Sequence, residues 1–269
     1  MSPRLFIERL PAAPAWSAGT ELELPPVAAR HVQVLRLQPG SALTLFDGHG
    51  GQWQARVSAM TRSGVRAVLQ THEAVERELG LRVTLAVGMP ANDRMDDLVE
   101  KASELGVAAI VPLMSERSVL RLSGDRAAKR MAHWQAVAVA ACEQCGRNRV
   151  PRVHAIVPLE TWLADGGGPR GDAALAATSA CWQLSLAPSA AALQDAWHLD
   201  AMEALKGVGA HIFLLSGPEG GLSPAEQEQA AHAGYRPVSL GPRTLRADTA
   251  PLAALAALGL LQTLARTQP

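Results

Sequence analysis

A chain of 269 residues can form one large domain or two of ordinary size, and it is long enough to bury a hydrophobic core. Hydrophobic residues make up 48% of it, but no stretch reaches the length of a membrane span without polar interruption, which argues against a membrane protein. With three cysteines and no apolar signal-peptide core near the amino terminus, we expect the reducing environment of the cytoplasm.

The formal net charge is zero, from 25 Lys and Arg against 25 Asp and Glu, which argues against a nucleic-acid partner. The distribution of charge along the chain weakens this argument. Residues 1–72 carry seven Arg against four Asp and Glu, and eight basic residues lie between Arg117 and Arg152. A basic arm and a basic stripe can still bind one RNA site, with a modest salt dependence because few phosphates are neutralised.

The amino-terminal part of the chain alternates short apolar runs with turn residues. The pairs Asp47-Gly48 and Gly50-Gly51 separate two strand-like runs, a pattern typical of a β-hairpin. Several such runs predict a small β-barrel domain over residues 1–72. The stretch EAVERELG, residues 73–80, is polar and is predicted to be a linker.

From residue 81 onward, strand patterns alternate with helix patterns. This alternation predicts an α/β domain with a parallel sheet over residues 81–269. The first predicted elements are a strand, a helix, a second strand and a long helix, over residues 81–88, 94–105, 107–114 and 126–145.

A Gly/Pro-rich segment, LLSGPEGGLSPAE at residues 214–226, follows a strand-like run at residues 211–215. Its glycines allow the main chain to approach a ligand closely, and Pro218 stiffens the loop. Ser223 is predicted to cap a helix, with Glu226 closing a capping box. Because α/β proteins bind ligands at such strand-to-helix junctions, the segment predicts a ligand loop. The alternative is a tight turn in which Glu219 is merely solvated.

A second segment, VSLGPRTLRADTAPLAAL at residues 238–255, has the same organisation. A short strand and a Gly-Pro turn precede Leu245, an apolar residue between Arg243 and Arg246. Asp248 or Thr249 can cap the final helix, predicted over residues 252–264. That helix is apolar nearly all round, so it packs either in the core or against another subunit, and both interpretations stay open. Together the two loops predict a small-molecule pocket rich in peptide groups.

These two loops, LSGPEGGLSPAE and LGPRTLRADTA, resemble the carboxyl-terminal signature of the SPOUT-class RNA methyltransferases. The resemblance is to the ribosomal RNA small subunit methyltransferase E family, which makes 3-methyluridine in 16S rRNA. It covers almost the whole chain, since matching motifs also lie upstream: PRLF at 3–6, DRMD at 93–96, EKASELGV at 100–107, SERSV at 115–119 and EQCGRNRVP at 143–151. Asp248 stands where that family usually has Glu.

The resemblance implies a PUA-like β-barrel followed by a SPOUT-type parallel sheet with a carboxyl-terminal trefoil knot. It implies S-adenosylmethionine as cofactor, 16S rRNA within the small ribosomal subunit as partner, and a homodimer; no metal and no membrane are expected. Thr178 ends an apolar run, DAALAAT, and would begin a third wall of the cofactor pocket. The implied cofactor-binding residues are Thr178, Leu215, Ser216, Gly217, Pro218, Glu219, Gly220, Gly221, Leu240, Gly241, Arg243, Leu245, Arg246 and Thr249.

For catalysis, Arg246 is the first candidate to stabilise negative charge on a uracil ring, and a salt bridge to Asp248 or Glu219 is its alternative role. Glu219, Asp248 or water could act as the base. The candidate RNA-binding residues are polar side chains near residue 145 and arginines within reach of phosphates. They are Gln144, Arg147, Asn148, Arg4, Arg9 and Arg117, of which Arg117 could equally pair with Glu116.

Other functions stay open. The chain could be a SPOUT enzyme that acts on another RNA such as tRNA, or a non-catalytic RNA-binding assembly factor. Cys142 and Cys145 form a Cys-x-x-Cys pair, but no second pair follows, so packing is favoured over metal or redox chemistry.

Overall fold

The computed structural model describes residues 2–9, 15–61, 64–91, 94–168, 178–201 and 210–267. The chain divides into two compact units: Met1–Glu78 with Val139–Val150, and Leu79–Ala138 with Pro151–Pro269. Two stretches are therefore placed differently from the sequence prediction. Residues 73–78, predicted as a linker, and residues 139–150, predicted in the second domain, both belong to the first unit.

The first unit is built on a five-stranded sheet with the order β1-β3-β4-β5-β2. Strand β1 pairs with β3 in parallel, and the other pairs are antiparallel. The predicted hairpin is confirmed as β3 and β4, with Leu45 opposite Trp53. The elements are β1 (Arg4–Phe6), β2 (Glu21–Glu23), α1 (Pro26–Val34), β3 (Ala42–Phe46), β4 (Gln52–Met60) and β5 (Val65–Glu73).

Aliphatic side chains on one face of this sheet form the core of the first unit. Helix α1 lies over that face and buries Ala28, Ala29 and Val32, which follow helical spacing. Burial alternates along β5, as expected of a strand with one face in the core and one in water. The completely buried members of the core are Leu5, Val32, Leu43, Leu45, Val65 and Ala67.

The second unit contains the predicted parallel sheet. Its strand order is β11-β13-β10-β12-β6-β7-β8, with β9 also paired to β7, and every one of these pairs is parallel. The strands are β6 (Arg82–Gly88), β7 (Ala109–Met114), β8 (Arg152–Val153), β9 (Val157–Pro158), β10 (Ser179–Leu184), β11 (Ala191–Ala192), β12 (His211–Ser216) and β13 (Arg236–Ser239).

Helices connect these strands, and their positions confirm the predicted alternation of strands and helices. They are α2 (Arg94–Glu104), α3 (Gly124–Cys145), α4 (Leu159–Ala164), α5 (Leu193–Ala196), a π-helical turn (Trp197–Ala201), α6 (Pro224–His232) and α7 (Thr249–Thr267). Within the described residues, none of these helices is long and apolar enough to cross a membrane.

The final helix, α7, serves as a core helix on one face. It packs against α2, β6 and β12, and it buries Ala254, Leu255 and Leu258 completely. Leu260 and Leu264, four residues apart and thus on one side of the helix, remain exposed. The prediction that this helix packs in the core is confirmed for the face with Ala254, Leu255 and Leu258. Packing against another subunit through the exposed face remains a prediction.

A buried histidine lies at the amino end of the central strand β12. The His211 Nε2 atom is 2.8 Å from the Thr84 hydroxyl, and the imidazole stacks on the Phe213 ring with centroids 4.1 Å apart. Burial lowers the pKa of His211 to about 4, and the nearby Arg82 guanidinium acts in the same direction. The folded state therefore holds this imidazole neutral in a pH range where an exposed histidine is charged.

This histidine should make stability depend on pH. In the unfolded chain its pKa returns to about 6.5, so between about pH 6.5 and 4 the unfolded state binds a proton that the folded state does not. We expect the wild-type stability to fall over that range relative to His211→Gln. Urea unfolding of both proteins at several pH values from about 7 to 4.5 measures the difference. A difference that stays constant with pH would contradict this linkage.

Candidate active site

A cleft of about 750 Å³ lies at the carboxyl ends of strands β10, β12 and β13, in the second unit. Its walls are the three loops that follow these strands: residues 183–187, residues 216–222, and residues 240–247 without Pro242. Parallel strands bring their carboxyl ends to one edge of a sheet, which is where α/β folds bind ligands. The two Gly/Pro-rich segments predicted from the sequence therefore meet in one site.

The loop after β12 packs so tightly that a side chain would not fit at Gly217, nor at Gly88 at the end of the adjacent strand β6. A Cβ atom on Gly217 would lie 2.8 Å from the Leu222 nitrogen, and one on Gly88 would lie 2.5 Å from Pro218 Cδ. Gly221 has a φ of +67°, a conformation that glycine adopts at little cost. The main chain itself therefore lines this part of the cleft.

The capping box predicted at Ser223 is present, and it does more than cap α6. The Ser223 hydroxyl accepts the Glu226 N–H, and Glu226 Oε2 accepts the Ser223 N–H at 2.8 Å. The other oxygen, Oε1, accepts the N–H of Glu116 at 2.7 Å. Glu226 is buried, so its carboxylate joins the loop after β12 to the loop after β7.

Arg117, in the loop after β7, supports the glycine loop. Its Nη1 atom donates to the carbonyl of Gly220 at 2.9 Å, and the arginine also lines the cleft. Within the described residues it forms no salt bridge with Glu116, the alternative partner considered from the sequence. The side chain is exposed, so its proposed contact with phosphate remains a prediction.

The carboxylate of Glu219 is held by two groups that precede or begin α2. Glu219 Oε1 accepts the N–H of Ala91 at 3.0 Å and faces Arg94 Nη1 at 3.4 Å. Arg94 was not among the site residues predicted from the sequence, although it lies in the DRMD motif. The DRMD motif marked Arg94 in the sequence, but only the fold shows that this side chain lies next to Glu219.

The two other candidate catalytic residues have different surroundings. Asp248 precedes α7, and its Oδ1 accepts the N–H of Thr249, the first residue of the helix, at 3.0 Å. A cap at Asp248 or Thr249 remains a prediction. Arg246 is exposed and lines the cleft, and within the described part of the chain it forms no salt bridge. The alternative role of Arg246, a salt bridge to Asp248 or Glu219, is therefore wrong.

Thr178 does not lie where the prediction placed it. Its carbonyl accepts the N–H of His211 at 3.0 Å, at the amino end of the sheet, whereas the cleft is at the carboxyl end. Strand β10 follows Thr178, so the third wall is formed by residues 183–187, which the sequence analysis missed. Most of the DAALAAT run lies outside the described residues. The available signal was the strand-length stretch SACWQL at 179–184, followed by a loop that contains Ser and Pro.

Eleven of the predicted cofactor-binding residues line the cleft: Ser216, Gly217, Pro218, Glu219, Gly220, Gly221, Leu240, Gly241, Arg243, Leu245 and Arg246. Two others do not. Leu215 packs completely buried in the core of the sheet, and Thr249 is the first residue of α7.

Three of the six predicted RNA-binding residues form an internal network of the first unit. Arg4 Nη2 donates to Asn148 Oδ1 at 2.7 Å, and Asn148 in turn donates to the carbonyl of Val75. Arg147 forms an ion pair with Glu78. Because Arg147 and Asn148 are 3% and 0% exposed, they cannot reach RNA while the unit is folded, and that prediction is wrong for both.

The remaining candidates in the first unit are more accessible. Arg4 is half-buried, and its guanidinium lies over the Phe46 ring, so it too has a structural role. Arg9 donates to Asp47 at 2.9 Å but keeps about a third of its side chain exposed. Gln144 is exposed near the end of α3. RNA binding by Arg9 and Gln144 therefore remains a prediction.

Cys142 and Cys145 form no disulfide. The Cys142 Sγ donates to the carbonyl of Arg149, and the hydrogen bond with Cys145 together with burial raises the pKa of the Cys142 thiol. A buried thiol with a raised pKa is a poor nucleophile and a poor metal ligand. Within the described residues, no group of three or more His, Cys, Asp or Glu side chains could hold a metal ion.

Comparison with known proteins gives two family matches. An RNA methyltransferase domain family matches residues 77–259, and an RNA methyltransferase PUA domain family matches residues 28–70. Ribosomal RNA small subunit methyltransferase E of Synechocystis sp. is 33% identical over 94% of this chain and 77% of its own length. The protein of the same name from Bacillus subtilis is 29% identical, and the match covers 84% of each chain.

Two solved structures are similar over nearly their whole length. A ribosomal RNA small subunit methyltransferase E from Neisseria gonorrhoeae bound to S-adenosyl methionine has a TM-score of 0.81, 34% identity, and coverage of 97% of this chain and 98% of its own. A putative methyltransferase from Legionella pneumophila in complex with the same molecule has a TM-score of 0.82 and 30% identity, with the same coverage.

The internal position of Asn148 gives a testable expectation. Asn148→Ala would leave the Arg4 guanidinium and the Val75 carbonyl short of partners in a buried site, at a cost of about 2–4 kcal/mol. Gln144→Ala, an exposed change four residues earlier, should alter stability by less than about 0.5 kcal/mol. Chemical unfolding followed by circular dichroism measures both. An Asn148→Ala protein as stable as the wild type would contradict the structural role.

Proposed function

Since the chain belongs to the ribosomal RNA small subunit methyltransferase E family, we propose that it transfers a methyl group from S-adenosylmethionine to small-subunit ribosomal RNA. The observation that carries the proposal is the cleft with three peptide loops at the carboxyl ends of β10, β12 and β13. Two similar chains are known in solved structures with S-adenosylmethionine bound.

The residues of the cleft suit this cofactor. Its volume of about 750 Å³ is in the range of small-molecule sites. Leu186, Leu240 and Leu245 offer apolar contacts for an adenine ring, and the peptide groups of residues 216–221 offer donors and acceptors for its edge and for the amino acid portion. Side chains on Gly217 would clash with the loop that forms this wall. When bound, the cofactor supplies an electrophilic methyl group on a sulfonium.

We further propose that the methyl acceptor is N3 of a uridine in 16S rRNA. The cleft residues must hold the uracil in line with the methyl group, and such positioning can supply much of the rate. N3 also loses its proton, so negative charge develops on the ring. Arg246 is an exposed cation that lines the cleft without a salt bridge in the described residues, which suits it to stabilise that charge.

The two candidate carboxylates have structural partners, which bears on the identity of the base. Glu219 already accepts the Ala91 N–H and faces Arg94, and Asp248 accepts the Thr249 N–H. Each of these carboxylates already binds a main-chain N–H within the fold. We therefore assign Glu219 to holding the glycine loop, Asp248 to binding the first N–H of α7, and proton removal to water.

The proposal includes a cytoplasmic homodimer and the trefoil knot, both of which follow from the family resemblance. Leu260 and Leu264 on the exposed side of α7 are the residues through which a second subunit would pack. Sedimentation analysis at micromolar concentration tests this point, and a monomeric mass would contradict it.

Gly217→Ala tests the cofactor site. The added Cβ would lie 2.8 Å from the Leu222 nitrogen and shift the loop, so we expect the affinity for S-adenosylmethionine to fall at least about tenfold. Gly234→Ala is the matched control: its φ is +89° and nothing lies within 4 Å of the added Cβ, so it should cost about 1 kcal/mol of stability but leave cofactor affinity unchanged. Calorimetric titration with S-adenosylmethionine measures the affinity of both variants. A Gly217→Ala protein that binds the cofactor as tightly as Gly234→Ala would contradict the proposed cofactor site.

Arg246→Ala tests the catalytic assignment. Methyl transfer from labelled cofactor into small ribosomal subunits, isolated from cells that lack this gene, should fall about 10²- to 10³-fold in kcat, with a smaller change in cofactor affinity. Arg246→Lys, which keeps a cation, should recover part of the rate. Digestion to nucleosides and mass spectrometry identify the product. Label in a nucleoside other than 3-methyluridine would reject the N3 assignment, and wild-type protein that binds no cofactor would reject the methyltransferase proposal.

A further inference from the structure

The first unit contains a second cavity, of about 420 Å³, which the proposed reaction does not use. Aromatic side chains dominate its lining, together with one ion pair. The aromatic and charged residues that line it are Trp16, Trp53, His72, His49, Arg9 and Asp47.

The aromatic wall of this cavity is held by the sheet. Trp53 on β4 is directly opposite His72 on β5, and their rings are 5.1 Å apart with an angle of 51° between the planes. Trp16 and Trp53 are half-buried and pack against the core of the unit, whereas His72 is exposed. Each indole therefore has one side anchored in the core and also borders the cavity.

Two glycines keep the cavity open next to this wall. Gly50 and Gly51 have φ values of +110° and +67°, which side chains rarely allow. A Cβ atom on Gly51 would lie 2.5 Å from His72 Nε2, so any side chain there would displace the imidazole from its place beside Trp53. The space between the aromatic rings and the hairpin loop thus depends on the absence of side chains.

The polar edge of the cavity is organised by Asp47. Its Oδ2 atom accepts from Arg9 Nε at 2.9 Å, and its Oδ1 atom accepts the His49 N–H at 3.0 Å. Within the described residues, the two terminal NH₂ groups of Arg9 have no hydrogen-bond partner. A fixed guanidinium with free donors therefore lies at the edge of an aromatic pocket.

We propose that this pocket binds an unpaired base of the RNA substrate, stacked on Trp16, Trp53 and His72, with Arg9 donating to the adjoining phosphate. The inference rests on the proposed function for the identity of the substrate. Single-stranded nucleic acids are commonly bound by stacking on aromatic side chains next to a cation, because every base has a π-face. A base within a duplex is already stacked on its neighbours, so the site selects an unpaired nucleotide.

Binding of a fluorescein-labelled ten-nucleotide oligouridine to the full-length protein, followed by anisotropy, tests the pocket. His72→Ala and Trp53→Leu should each raise the Kd about tenfold, within the effect of removing one stacking contact. Thr71→Ala is the matched control, since Thr71 is the exposed neighbour of His72 on β5 and does not line the cavity, and its Kd should stay within about twofold of wild type. Circular dichroism and chemical unfolding show whether each variant is folded.

Three results would overturn the inference. Folded His72→Ala and Trp53→Leu proteins with the wild-type Kd would show that no base stacks there. An oligomer of abasic ribose phosphates that binds the wild type as tightly as oligouridine would assign the affinity to phosphate alone. Uridine monophosphate that binds as tightly as the oligomer would identify a free-nucleotide site instead of an RNA site.

Methyl-transfer assays with small subunits separate this inference from the proposed function. Suppose that the wild-type protein transfers methyl groups and that the pocket variants have the wild-type KM and the wild-type affinity for oligouridine. This result would contradict RNA binding in the pocket and would support the methyltransferase proposal. Suppose instead that the pocket variants lose affinity for oligouridine but the wild-type protein methylates no ribosomal RNA. This result would support RNA binding in the pocket and would contradict the proposed reaction. If both hold, His72→Ala should raise KM for subunits and leave kcat nearly unchanged.

Discussion

The geometry of the cleft depends on where one buried carboxylate, that of Glu226, finds its hydrogen bonds. A buried charge is costly unless it is paired or hydrogen-bonded, and the N–H groups of Ser223 and Glu116 supply the bonds. The positive end of the α6 dipole lies at the same place and favours the negative charge. Because Ser223 follows the glycine loop and Glu116 follows β7, the carboxylate fixes two loops of the cleft together. Arg117, next to Glu116, is then in position to bond to the carbonyl of Gly220.

Main-chain groups form much of the cleft, and this has consequences for both binding and charge. A ligand held by peptide groups is recognised through the path of the backbone, which the close contacts at Gly88 and Gly217 determine. Among the residues that the structure describes, the charged side chains lining the cleft are four arginines and one glutamate, namely Arg94, Arg117, Arg243, Arg246 and Glu219. The local excess of positive charge favours an anionic substrate, although the whole chain has no net charge.

The first unit shows why a count of basic residues does not identify an RNA surface. Arg147 belongs to the basic stripe of the sequence, yet its charge is matched by Glu78 inside the unit. Arg4 is likewise bonded to Asn148, whereas Arg9 combines an ion pair with accessible donors at an aromatic cavity. Ion pairing and burial decide which arginines can meet phosphate, and both are properties of the folded chain.

Local features of this protein could be predicted because their physical causes lie within a few residues. The hairpin at β3 and β4 follows from glycines that adopt positive φ, the capping box from the spacing of Ser223 and Glu226, and the parallel sheet from alternating strand and helix patterns. The two Gly/Pro-rich loops were recognisable as walls of one pocket because parallel strands end at the same edge.

Other features depended on contacts between residues far apart in the chain, which local patterns do not encode. The sequence could not show that Arg94 would face Glu219, that residues 183–187 would replace Thr178 as the third wall, or that Asn148 would be completely buried. It also could not show that Trp53 and His72 would border a cavity with Trp16. The sequence by itself determined the elements and the loops that could bind a ligand, since these depend on local backbone preferences. Only the tertiary structure decided which charged and aromatic side chains are exposed, because burial and pairing arise when distant segments pack together.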